Sequence, residues 1–271
     1  MTPHELYQTY RNLNVDLPDG RTIFGLDIHK YRINTPDGGP VIGTVDGLSA
    51  YHDLLAKVAK SGVKRTSKLY SLDVTDDAAT QSCSLFRKIE WIDTTALQRP
   101  FVGKGSPEEI RQALRLAVFF KLVGSTKSEL QSYCDKNIGL DCSGFAGNLY
   151  EGDWRDKSAN YFRDNGIEVK RLEDVRANDA ICWVNDNHIV VIDRVYPANK
   201  CLTKGDPVIQ CMAAESTAAQ MLRDGPMNGL SYTEYSFLPP SQVPFKILRQ
   251  KITTTQIVDF WTPKIKIVRI Q

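Results

Sequence analysis

Near Gly166 the spacing of apolar residues changes from helical to alternating. That switch confines the chain to folds that segregate helices from strands. Upstream, "SPEEIRQALRLAVFFKL" opens with Ser106 as N-cap, Pro107 at the first helical position and Glu109 closing a capping box. A second helix is expected over roughly 127–136, a third in "SGFAGNLYEG", and a fourth in "DWRDKSANYFRDNG", stopped by Gly166. Downstream the reading is β: "DAICWV", a polar "NDN" turn, "HIVVIDRV", a loop "YPANKCLTKGD", then "PVIQCMAAES". The tail "PKIKIVRIQ" alternates like a half-exposed strand. The class implied is α+β, with a helix packed on an antiparallel β-meander and a mixed N-terminal region.

Residues 1–104 are rich in turn signals ("PDG" at Pro18 and Pro36, "GGP" at Gly38, "VDG" at Val45). Between them lie the β-like runs "RTIFGLDIH" and "PVIGTV" and one helical segment, "LSAYHDLLAKVAKSG", closed by Gly62. Its Leu54, Leu55 and Val58 share a face. Gly103 and Gly105 mark a boundary, so the expected organisation is 1–104 as an N-terminal region, 105–250 as the main domain and 251–271 as a basic tail.

Composition excludes several classes. With 271 residues, 42% hydrophobic and 24% charged, the chain has the makings of a packed core and does not read as disordered. The net charge of +2 favours no polyanionic partner, and no nucleic-acid partner is expected. Charge is uneven: from Lys246 onward six basic residues face one acid, +5, which leaves −3 for the rest. A solvated strand edge protected by lysines accounts for that tail. The longest apolar run, "LRLAVFFKLVG", is too short to span a bilayer. The opening residues show no basic start followed by an apolar run, so the expectation is synthesis in a reducing cytoplasm, or export by a route without such a leader. Six scattered cysteines without CxxC spacing point to neither a zinc ribbon nor a disulfide framework.

The stretch "GLDCSGFAGNLY" carries the chemistry. Cys142 falls where a loop becomes a helix, and a helix N-terminus favours a thiolate while offering backbone N–H groups to an oxyanion. Gly144 removes bulk beside it. Of four histidines, His4 and His29 lie in the opening and turn-rich segments, and His52 on an exposed-looking helix turn. His188 begins an apolar strand directly after a polar turn, where the strand can fix its ring toward a cleft. If the strands on either side of "YPANKCLTKGD" form a hairpin with Val195 near Val208, His188 lies opposite Glu215, which can then orient the imidazole. Gln210 is the alternative orienting residue, although this register sets it opposite Asp193. Cys182 and Cys211 read as core, while Cys134 and Cys201 carry no assignment. A zinc site on Cys142, His188 and another cysteine lacks ligand spacing.

"LDCSGFAGNLY", "LEDVRANDAICWV…NHIVVIDRV" and "VIQCMAAEST" together resemble the NlpC-type cysteine peptidases, a papain-like superfamily of cell-wall hydrolases. The resemblance covers about 133–217 and implies Cys142 as nucleophile, His188 as general base and Glu215 as orienting residue. Asp179 matches the aspartate of a turn that here reads "AND". The expected activity is hydrolysis of an amide bond, in peptidoglycan stem peptides or a related peptide, through a Cys142 thioester and with no cofactor. Acyl transfer by the same thioester, or an inactive binding module, are the alternatives.

Overall fold

The computed structural model describes residues 1–31, 47–61, 64–66, 91–185, 187–198, 208–217, 229–241, 243–252, 257–262 and 264–271. The run "PVIGTV", the turns after Pro36, Gly62, Cys83 and Cys201 lie outside them. The chain forms two compact units, residues 9–140 and residues 1–8 with 141–271, and the opening helix Pro3–Arg11 is divided between them.

In the unit of residues 9–140, strands β1 (Leu13–Asp16) and β2 (Thr22–Leu26) pair antiparallel, and short parallel strands β3 (Lys64–Thr66) and β4 (Trp91–Asp93) pair separately. The helix Leu48–Lys60 buries Tyr51, Leu54 and Val58, whereas Leu55 is only half-buried. Pro107–Phe119 begins with the expected capping box on Ser106 and Glu109, and Lys127–Asn137 has its own on Thr126 and Glu129. These two helices pack on β1 and β2 respectively. This compact unit continues through Gly103 and Gly105 to Leu140. Gly105 is a packing residue: a Cβ there would meet the Pro100 backbone at 2.6 Å. A buried ion pair, Arg99–Glu109 at 2.8 Å, holds the same corner.

The other unit is built on an eight-stranded antiparallel sheet, ordered β11-β10-β9-β8-β7-β6-β12-β5. Its strands are β5 (Ile167–Val169), β6 (Asp179–Trp183), β7 (Ile189–Pro197), β8 (Ile209–Thr217), β9 (Gly229–Leu238), β10 (Lys246–Ile252), β11 (Ile257–Thr262) and β12 (Ile265–Arg269). Helices and an antiparallel sheet make the architecture α+β. Alternation divides the strands between two apolar clusters. Ile181, Val190, Ile192 and Ile267 join Leu172, Val175 and Phe245 in one cluster; Ala180, Cys182, Ile189, Val191 and Val268 join Cys142, Ala146 and Phe162 in the other. The helices Cys142–Tyr150 and Ala159–Asn165 thus cover the second cluster.

The helix expected over "DWRDKSANYFRDNG" is shorter than its sequence pattern. Ser158 caps it through Tyr161 N, and the preceding turn includes Asp156 at φ 61°, a left-handed conformation that no helix continues through. At its end Gly166 admits β12, because a Cβ there would meet Val268 Cβ at 2.7 Å.

The basic tail does not stand apart. β12 is inserted between β6 and β5. Asp179, fully buried, accepts both Arg269 Nε and Nη2 at 2.9 and 3.0 Å and also the Arg176 amide. Asp179→Ala removes a buried acceptor from the Arg176 amide and from the Arg269 guanidinium, which keeps partial contact with solvent, so it is expected to cost about 1–3 kcal/mol. Urea unfolding measures this, and a change below about 0.5 kcal/mol would show the pair to be neutral.

Candidate active site

Cys142 is the first residue of its helix. Asp141 is the N-cap, in extended conformation, and its Oδ1 accepts the Gly144 amide and the Ser143 hydroxyl, the latter at 3.1 Å. The Gly144 N–H is thereby committed to the cap. Helix geometry leaves the Cys142 amide directed out of the N-terminus, beside its own sulfur. The Cys142 Sγ is 5% exposed as a residue and lies 3.7 Å from the Asn187 carbonyl oxygen. Asn187 points that carbonyl inward from a left-handed φ of 49°, a conformation that asparagine tolerates better than most residues.

His188 is placed by the β6–β7 hairpin. Cys182 pairs with Ile189, and the Trp183 amide donates to the His188 carbonyl at 2.9 Å. Trp183 consequently stands edge-on to the imidazole, ring centroids 5.0 Å apart at 68°. The imidazole hydrogen-bonds Glu215 through Nε2, at 2.7 Å from Oε2, and lies close enough to Cys142 for the two to be coupled electrostatically. The other Glu215 oxygen accepts the Tyr235 hydroxyl at 2.8 Å and the Ser231 hydroxyl at 3.3 Å. The Glu215 side chain is wholly shielded from solvent, and that of His188 is 16% exposed. Burial disfavours a charged imidazole, but the hydrogen bonds and charges of Cys142 and Glu215 outweigh it and push His188 up to about 10.

The structure brings Cys142, His188 and Glu215 together, but not by the expected register. Val195 pairs with Cys211, three residues beyond Val208, and an irregularity at Asp193 shifts the pairing so that Val191 faces Ala214. At Glu215 the offset from expectation is two residues. An even slip preserves the face, so Glu215 reaches His188 as a diagonal neighbour. Gln210 stays away: it pairs with Tyr196, and its amide donates to Glu234 and Ser236 at 3.2 and 3.1 Å. Trp183, Asn187, Ser231 and Tyr235 were not singled out by the sequence reading. Only Trp183 carried a local signal, since a four-residue connection sets it beside His188.

Position distinguishes Cys142 from the other described thiols: among them it alone begins a helix and neighbours an imidazole. Burial pushes Cys134 and Cys211 well up and takes Cys182 to about 12. Cys142 is expected to alkylate fastest of the six below pH 7, followed by peptide mass spectrometry against time. Faster labelling of Cys134 or Cys201 would remove the chemical basis for a nucleophile at Cys142. Among the described residues no group of three or more His, Cys, Asp or Glu is arranged to hold a metal ion, and no helix is long and apolar enough to cross a membrane. Comparison of the chain with protein-family models, curated proteins and solved structures returns no match.

Proposed function

We propose that the chain is a papain-like cysteine hydrolase of amide bonds. The observation that carries this reading is an imidazole held between a helix-start cysteine and a wholly buried carboxylate. A buried carboxylate is costly as an anion unless it is paired, and an imidazolium at His188 supplies that pairing. The thiolate of Cys142 attacks the substrate carbonyl, and the oxyanion is received by backbone N–H at the helix start, that of Cys142 among them. His188 gives its proton to the departing amine as the C–N bond breaks, leaving a thioester. Water, deprotonated by the now neutral imidazole, cleaves the thioester and releases the acid. Glu215 holds the ring in one tautomer and stabilises its cationic form.

The resemblance of "LDCSGFAGNLY" and the strand at His188 to NlpC-type peptidases supports peptides of bacterial cell wall as the substrate class. Incubation with purified peptidoglycan and with model acyl donors, followed by mass spectrometry, tests the proposal. New free carboxyl and amino termini identify hydrolysis. Acyl-acceptor conjugates would reassign the thioester to transfer, and unchanged substrates with measurable binding would reduce the site to recognition.

A further inference from the structure

The odd step in β7 has a consequence for the thiol site. Val190, Ile192 and Val195 all pack on one cluster, although strict alternation would turn Val195 to the other face. Between Ile192↔Ala213 and Arg194↔Met212 one extra residue, Asp193, is accommodated as a bulge. Had the pairing beyond the bulge run unbroken, Glu215 would oppose Val191. Its carboxylate would then share the face of Ile189 and Val191 and enter their apolar cluster. The bulge moves Glu215 opposite Val190, on the face of Trp183 and Tyr235, within reach of His188.

The bulge is held from two sides. Asp193 Oδ1 accepts the His4 amide at 3.0 Å, and Oδ2 accepts the Tyr232 hydroxyl at 2.7 Å. Tyr232 lies on β9 paired with Ala214, next to Glu215, and packs against His4 at 4.6 Å and Tyr7 at 5.9 Å between ring centroids. Residues 1–8 belong to the same compact unit as this sheet.

We propose that Asp193, clamped by the His4 amide and Tyr232, is a positioning residue that fixes the β7–β8 register and so turns Glu215 toward His188. The inference rests on the reading of Cys142, His188 and Glu215 as one site. The side chains bearing on the imidazole are Cys142 and Glu215, with Trp183 at its edge and Tyr235 and Ser231 acting through Glu215.

The test is an NMR titration of the His188 ring in the full chain, which needs no substrate. The wild type is expected to titrate near 10, and Asp193→Ala at least about one unit lower. Asp193→Asn keeps an oxygen for the His4 amide and a nitrogen for the Tyr232 oxygen while removing the charge, so it should titrate like the wild type. Equal downward shifts in both variants would reduce Asp193 to a distant charge and overturn the proposal, as would no shift in Asp193→Ala. A wild-type midpoint near about 6.5 would instead overturn the thiol–imidazole–carboxylate reading itself, and this inference with it. If Asp193→Ala does not fold, Tyr232→Phe removes one of the two bonds and should shift the midpoint in the same direction by less; no shift there overturns the proposal.

Discussion

Cys142→Ala is expected to abolish turnover, a loss on the order of 10⁵–10⁶-fold in kcat, and adding His188→Ala to it should cost almost nothing further. The near-zero second step is the informative part. A nucleophile and its proton carrier act as a unit, so once either is gone the other has no role, and residual catalysis comes from oxyanion contacts and binding alone. Two residues that merely stabilised the fold would add their effects instead. Steady-state kinetics of the two single variants and the double variant, on whichever amide the wild type cleaves, decides between these cases. Additive losses, or a Cys142→Ala variant retaining more than about 1% of kcat, would remove Cys142 from the chemistry. Substrate affinity should survive Cys142→Ala, because the thiol contributes bond-making rather than recognition.

How far the sequence could be read follows the range of the interactions. The capping box at Ser106 and the start of the helix at Cys142 were legible because capping spans three residues. His188 was legible because a polar turn meets an apolar strand there. Face is a local property of alternation; offset between strands is not, and the pairing Val195↔Cys211 required a bulge that only the slip from Ile192 to Val195 announces. β9, "GLSYTEYSFL", was missed because its buried side chains include Tyr235, Thr233 and Ser236, which look solvent-facing until their hydroxyl partners are known. The same holds for residues 1–8. Nothing local indicates that His4 meets Asp193, 189 positions away. Gly105 carries the composition of a linker and the geometry of a tight contact, a difference that only its packing on Pro100 reveals.

The second large effect concerns Glu215 and pH. With His188 raised to about 10, the productive imidazolium persists until the alkaline limb of kcat/KM, expected near that value. Because the folded value lies above the unfolded one of about 6.5, protonation of His188 contributes stability that is fully present below about pH 6.5 and is lost as pH rises toward 10. Glu215→Gln keeps the shape and an acceptor oxygen but removes one of the two interactions that sustain the charge, so the alkaline limb should move down and the stability decline should begin at lower pH. Turnover at neutral pH should fall less than in Cys142→Ala, since orienting members of such sites matter less than the nucleophile, although losses of about 10⁴-fold occur. The pH dependence of kcat/KM and of urea unfolding reports both shifts. Gln210→Ala should leave the limb where it is, because that amide is engaged by Glu234 and Ser236. A limb that stays near 10 in Glu215→Gln would mean that Cys142 alone sustains the imidazolium, and the buried carboxylate would then be a structural anchor for Tyr235 and Ser231 rather than the group that orients the ring.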